Sequence, residues 1–253
     1  GKGLRFHPHR ERWGLPASSF AILQVKIFGN ANMDDAIDEN DVFYARGILT
    51  NENKVTELAD ANQDGKVDQS DIERIGQIIN GTESEIYYVN IKNEVAKVKH
   101  PLNRIIIVYD NTAEIIRILG AQDRVVGVDS DGSSSIQYRW RYMPEFNKTP
   151  SIGHRNDCDV EKILEIKPDA VIVHAKNEWG CPDLEKKIED SNIDVVRLGT
   201  SESQFAVPSL MILSYMLDEV DNAKEYREWQ RGYLEMVKER VSSIPDDKRL
   251  RVF

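Results

Sequence analysis

Residues 103–120 read Asn-Arg-Ile-Ile-Ile-Val-Tyr-Asp-Asn-Thr-Ala-Glu-Ile-Ile-Arg-Ile-Leu-Gly. The β-branched run over Arg104–Tyr109 predicts a strand that is apolar on both faces, as strands in a parallel sheet covered on both sides are. Asn111 then reads as a helix cap, with Glu114 three residues on and apolar positions at helical spacing over Thr112–Leu119. Gly120 supplies the stop. Outward from this unit the same alternation repeats. Strands are expected at Arg124–Val128, Asp169–His174 and Asp194–Leu198, and helices at Val160–Ile166 and Asp183–Ile188. Ile86–Ile91 and Glu94–Val98 read as a hairpin around Lys92-Asn93. Strand-helix alternation of this kind gives an α/β lobe over residues 86–205.

Beyond the last strand the apolar spacing lengthens. Val207, Leu210, Met211, Leu217, Val220, Ala223, Tyr226, Trp229, Tyr233, Met236 and Val241 recur at three- and four-residue steps. One helix of about 35 residues would span roughly 50 Å, longer than the sheet beside it. Such a helix, within residues 206–248, joins bodies, and Arg251-Val-Phe253 then looks like the first strand of a second lobe (249–253).

Composition narrows the class. The 253 residues carry a net charge of −10, which disfavours nucleic acid or an anionic membrane surface as the main partner. Two cysteines exclude a disulfide-stapled scaffold, and no run approaches the roughly 18 apolar residues of a membrane span. The acids are concentrated: residues 29–81 hold 12 acids against 4 bases, so about a fifth of the chain carries most of the charge.

That segment repeats itself at an offset of 30 residues. Asn30-Ala-Asn-Met-Asp-Asp-Ala-Ile-Asp-Glu-Asn-Asp41 aligns with Asp60-Ala-Asn-Gln-Asp-Gly-Lys-Val-Asp-Gln-Ser-Asp71. Oxygen side chains recur at positions 1, 3, 5, 9 and 12: Asn30, Asn32, Asp34, Asp38 and Asp41, then Asp60, Asn62, Asp64, Asp68 and Asp71. Position 7, Ala36 and Lys66, contributes its carbonyl. Calcium takes 6 to 8 hard oxygens at about 2.3–2.6 Å, and a 12-residue loop gathers them in this way. Two calcium sites are therefore expected, each followed by an apolar helix at Val42–Leu49 or Ile72–Ile79. Asn30 at position 1, and Asp35 where the second loop has Gly65, make the first site the weaker one. Paired loop-plus-exiting-helix units with Asp at position 12 resemble the dockerin domain. The resemblance implies a small all-α calcium module over residues 29–81, preceded by an unassigned segment (1–28), and a cohesin-like docking partner. Positions 10 and 11, Glu39-Asn40 and Gln69-Ser70, depart from the Ser-Thr common in that family.

Residues 86–253 resemble a second family, the substrate-binding proteins of ABC importers that capture metal chelates such as ferric siderophores, cobalamin and haem. The resemblance rests on residues 103–120, Asp-Arg-Val-Val-Gly-Val-Asp129, Pro-Ser-Ile-Gly153, Asp-Val-Glu-Lys-Ile-Leu-Glu-Ile-Lys-Pro-Asp-Ala-Val-Ile-Val173 and the long helix. It implies the class III periplasmic-binding-protein fold, in which two α/β lobes are joined by that helix and hold the ligand between them. It also implies a membrane permease as partner, and capture rather than catalysis. Dockerin-like repeats ahead of such a lobe resemble binding proteins of an archaeal type.

In an open parallel sheet, ligands meet the loops at the carboxyl ends of the strands. The expected ligand contacts are Asn111, Thr112, Tyr138, Trp140, Arg141, His154, Arg155 and Trp179, since arginine and aromatic rings suit an anionic or planar chelate. Trp140 and Tyr142 also read as simple packing under a loop, and His154 and His174 as hydrogen-bonded histidines rather than metal ligands. Cys158 and Cys181 should fall on this same edge, either as a disulfide closed outside the cytoplasm or as two unpaired thiols. No carboxylate pair of the kind glycoside hydrolysis needs is marked in the lobe. The expected function is an extracytoplasmic, membrane-anchored binding protein for a metal chelate. The alternative is a calcium-dependent cell-surface scaffold.

Overall fold

The structure, a computed structural model, describes residues 25–130, 142–174, 180–201, 203–245 and 248. Tyr138, Trp140, Arg141, Trp179 and the strand expected at 249–253 lie outside the described residues. In chain order the elements are α1 (Glu39–Leu49), α2 (Gln69–Ile79), β1 (Glu85–Val89), β2 (Val95–Lys99), β3 (Ile105–Val108), α3 (Asp110–Ile118) and β4 (Val125–Val128). There follow β5 (Gly153–His154), β6 (Asp157–Cys158), α4 (Val160–Ile166), β7 (Ala170–His174), α5 (Leu184–Lys187), β8 (Asp194–Leu198), α6 (Ser203–Met216) and α7 (Val220–Ser242).

A four-stranded parallel sheet in spatial order β4-β3-β7-β8 carries the lobe. Its strands alternate between two apolar layers. Ile105, Ile107, Ala170, Ile172, Val196 and Leu198 join one buried cluster. Ile106, Val108, Val171 and Val173 join the other, with Ile163 of α4 and Leu184 of α5. Burial on both faces is why these strands read as unbroken apolar runs.

The acidic segment is built into this body. Val25, Ile27, Ile37, Ile48, Ile75 and Ile78 pack in the same cluster as Ile86, Leu102, Leu213 and Met216. Residues 26–28 lie antiparallel to β1, with Ile27 bridged to Tyr88, Phe28 N–H donating to Tyr87 O at 2.9 Å and Val89 N–H to Lys26 O at 2.9 Å. The stretch bridged to β1 thus lies immediately ahead of residue 29, the expected start of the acidic segment.

Two expectations are corrected. The single long helix is two. α6 ends at Met216, and Asp218 adopts the left-handed conformation (φ 52°). Glu219 N–H then returns to Ser214 O at 2.8 Å, and Asp218 N–H to Tyr215 O at 3.5 Å, the bonds of a Schellman ending. Arg124 fixes the break by donating to Leu217 O at 2.6 Å, Leu102 O at 3.2 Å and Glu219 Oε1 at 3.0 Å. Apolar spacing runs through the bend because Leu217 and Val220 both face apolar neighbours. The second correction concerns Asn111, which caps nothing. α3 starts at Asp110, and its cap position is Tyr109 at φ 92°, with no side-chain capping bond. Gly120 does end that helix: at φ 73° it donates to Arg117 O, and Ala121 to Ile116 O. Among the described residues no helix is long and apolar enough to cross a membrane.

Candidate functional site

The carboxyl ends of the four parallel strands bring one set of polar and aromatic groups together. Tyr109 directly follows β3, and its strained backbone is held by its N–H donating to Asp129 Oδ1 at 3.1 Å, just past the end of β4. The Tyr109 ring is flanked by the Arg155 guanidinium, 4.6 Å from its centroid, and by the His174 ring at 4.7 Å. His174 ends β7 and meets two hydroxyls beyond β8: Ser201 at 2.7 Å from Nε2 and Thr200 at 3.3 Å from Nδ1. The Thr200 hydroxyl lies 3.1 Å from that of Thr112, which donates to Val108 O. Thr112, Thr200 and His174 are buried, whereas Asn111, Tyr109, His154 and Arg155 are half-buried.

Arg155 sits in the turn between β5 and β6, and that turn is pinned from two directions. Cys158 and Cys181 form a disulfide with Cα atoms 5.3 Å apart. Cys181 N–H donates to Arg155 O at 2.6 Å. Below them lies a residue that sequence reading passed over. Arg197 of β8 is 1% exposed, donates to Gly180 O and Cys181 O, and pairs with Glu185. Against the burial that would raise it, this guanidinium holds the Glu185 carboxyl below its usual range. An arginine in a strand otherwise read for its apolar residues gave the only hint of this brace. A cation seated on an aromatic ring and backed by hydroxyls favours anionic or planar ligands. Of the residues expected here, Thr112, His154 and Arg155 gather at this edge with Asn111, and His174 is hydrogen-bonded as a core histidine would be.

The two acidic loops share one hydrogen-bond plan. At position 3, Asn32 and Asn62 accept from Asp34 and Asp64 N–H, each at 2.9 Å. At position 5, Asp34 and Asp64 accept from Ala36 and Lys66 N–H. The position-12 carboxylates, Asp41 and Asp71, are buried and accept from Asp38 and Asp68 N–H at 2.8 Å, which also closes a capping box on α1 and α2. Burial pushes the Asp41 carboxyl up to about 6 and raises Asp71 as well. Among the described residues no three His, Cys, Asp or Glu side chains form a metal-sized group. The loops mix their carboxylates with the oxygens of Asn30, Asn32 and Asn62, so the donors are all hard oxygens of the sort calcium takes. The loops differ at position 6, where Gly65 is left-handed (φ 89°) and Asp35 is not. Asp35 instead pairs with Arg227 and, at 3.3 Å, with Arg231 of α7.

The model of the periplasmic binding protein family matches residues 105–253. The chain is 25% identical over 174 residues to YvrC, an uncharacterized ABC transporter substrate-binding lipoprotein of Bacillus subtilis, covering 67% of this chain and 52% of that protein. It is 30% identical over 98 residues to the molybdate-binding protein MolA of Haemophilus influenzae, covering 38% of this chain and 27% of MolA. The chain thus spans about half the length of the first relative and less of the second. Molybdate-bound MolA superposes with a TM-score of 0.54 at 21% identity, over 65% of this chain and 56% of its own. A periplasmic solute binding protein of Veillonella parvula superposes with a TM-score of 0.51 at 19% identity, over 64% and 50%. These likenesses establish a shared fold for the lobe. The chain belongs to the periplasmic binding protein family.

Proposed function

We propose that this chain forms part of an extracytoplasmic substrate-binding protein of an ABC importer, anchored at the membrane and delivering an anionic metal species to a permease. The ligand class is a metal chelate of the ferric-siderophore, cobalamin or haem kind, or a metal oxyanion such as the molybdate for which MolA is named. The observation that carries the reading is Arg155, stacked on Tyr109 beside the hydroxyls of Thr200 and Ser201 at the carboxyl edge of the sheet. Capture and release need no bond chemistry, so the protein is not an enzyme. A second α/β lobe would find a seat on α7, where Trp229, Tyr233, Val237 and Val241 expose an apolar stripe at helical spacing.

The acidic segment completes the proposal. One calcium ion would be held by Asn30, Asn32, Asp34, Ala36 O, Asp38 and Asp41, and a second by Asp60, Asn62, Asp64, Lys66 O, Asp68 and Asp71. The alternative, a calcium-dependent scaffold docking onto a cohesin-like partner, draws on Phe43 and Val55, both apolar and more than 60% exposed on this segment.

The test is equilibrium binding of ferric siderophore, cyanocobalamin and molybdate to the protein as its source cell makes it, beside an Arg155→Ala variant. Saturable binding of one probe, weakened about tenfold or more by loss of the charge-assisted contact, is expected. Binding of none, with calcium-dependent capture of a surface protein instead, overturns the importer reading in favour of the scaffold.

A further inference from the structure

The bend between α6 and α7 is fastened by a histidine with no solvent exposure at its side chain. His100 follows β2, and its Nδ1 lies 3.1 Å from both the main-chain oxygen and Oε1 of Glu83. Its Nε2 lies 2.8 Å from Asp218 Oδ1, at the left-handed residue of the bend. A main-chain carbonyl and an ionised carboxylate can only accept hydrogen bonds. Both ring nitrogens thus face acceptors, and only the doubly protonated imidazolium satisfies both.

The surroundings make this junction consequential. Glu83 leads out of α2, His100 belongs to the hairpin and Asp218 to the helix pair, so one ring ties three parts of the molecule together. Glu83 Oε2 and Arg74 Nε are buried without a hydrogen-bond partner among the described residues. Burial holds the Glu83 carboxyl above its usual range, against the pull of His100 and Arg74 and with the push of Asp218. Arg124 and Glu219 form the other charged pair at the bend. A cleft of about 540 Å³, lined by Gly81, Tyr215, Asp218 and Val220 among others, brings solvent to the outer side of Asp218.

We infer that His100 is a proton-operated latch on α7. Charged, it clamps the Asp218 bend to the segment that leaves α2. When the ring gives up its proton, one nitrogen presents a lone pair to an acceptor, Asp218 turns to the water of the cleft, and the first turn of α7 loosens at the bend. Asn222 on Leu119 O and Arg227 on Asp35 still tie the helix to the body. With the ring charged the start of the helix is locked, and with the ring neutral it loosens. The latch rests on its own geometry and holds whatever the ligand of the lobe.

The test is hydrogen exchange across residues 203–242 from pH 6 to 8.5, corrected for intrinsic rates, in the wild type and in H100Q, whose side chain cannot change charge. The wild type should lose about tenfold protection in α7 relative to β3 and β7 as pH rises, the worth of a hydrogen bond to a charged group. H100Q should show no such pH step. Equal pH dependence in both proteins overturns the latch. Nitrogen NMR of the imidazoles in the wild type decides the matter without any variant. Two protonated nitrogens on His100 at pH 6, lost in step with α7 protection, are expected, and a neutral ring at pH 6 overturns it.

Discussion

At position 1 of the first acidic loop, an aspartate would add negative charge but could not do what Asn30 does. Its buried amide donates to Val25 O and to Asp34 O, each at 2.8 Å, while its oxygen accepts from Asp34 N–H. Charge counting marks this residue as a weakness, yet its donors close the loop onto the strand that enters it. Asn30→Asp should cost about 2 kcal/mol in chelator, because buried carbonyls lose their donors, and urea unfolding would show it. Its partners are main-chain atoms, which no residue spacing reveals. Asp41 yields a prediction with a sign. Its folded carboxyl titrates at about 6, above the unfolded value of 3.8, so in calcium-free buffer its contribution to stability falls as pH rises from about 4 to 6. Calcium bound at the first loop as proposed would have to displace the same proton. Affinity at the first loop should therefore drop about tenfold between pH 7 and 5, as titration calorimetry at the two pH values would show. Tyr215 is a third case: its hydroxyl takes the N–H of Ile37 at 2.7 Å in a buried position. Tyr215→Phe should destabilise the fold by about 1–2 kcal/mol.

At the scale of elements, what could be read from the chain was whatever depends on local pattern. The sheet strands lie within a residue or two of their expected places, and α4 and β8 match theirs, because burial on both faces or on one helical stripe leaves its mark in adjacent residues. The break after Met216 left no such mark. It rests on a left-handed Asp218 and on Arg124, 93 residues away in sequence from the Leu217 carbonyl it caps. Tyr109 was passed over as a cap for a related reason, since its positive φ is imposed by Asp129 from a neighbouring strand. The site was legible only in part: the sheet edge and Arg155 could be placed, whereas the Arg197–Glu185 brace could not. The disulfide joins two elements of this edge, and its closed loop of 23 residues predicts a loss of about 3 kcal/mol for a Cys158→Ser, Cys181→Ser double variant. If Arg155 holds the ligand as proposed, the same change should weaken binding, since the turn that carries Arg155 then keeps the Cys181 amide bond but loses its covalent tie to that segment.

For the whole molecule, a shared core decides how the parts fail. Ile75 and Ile78 of α2 pack in one cluster with Leu213 and Met216 of α6, so the acidic segment and the lobe should unfold in a single calorimetric transition. Chelator should lower that transition by roughly 5–10 °C from its value in calcium at one-hundredfold its dissociation constant. A separate early peak that alone answers to chelator would mean the two parts are independent. The same joint has a mechanical side. The strands that enter and leave the acidic segment are antiparallel neighbours, stitched by Phe28 to Tyr87 and Val89 to Lys26. Tension drawn along the chain from residue 25 towards the sheet crosses from one strand to the other through those bonds and bypasses everything between them. The acidic loops hang beside the load path as a slack side branch, and they keep their shape until the ladder itself shears.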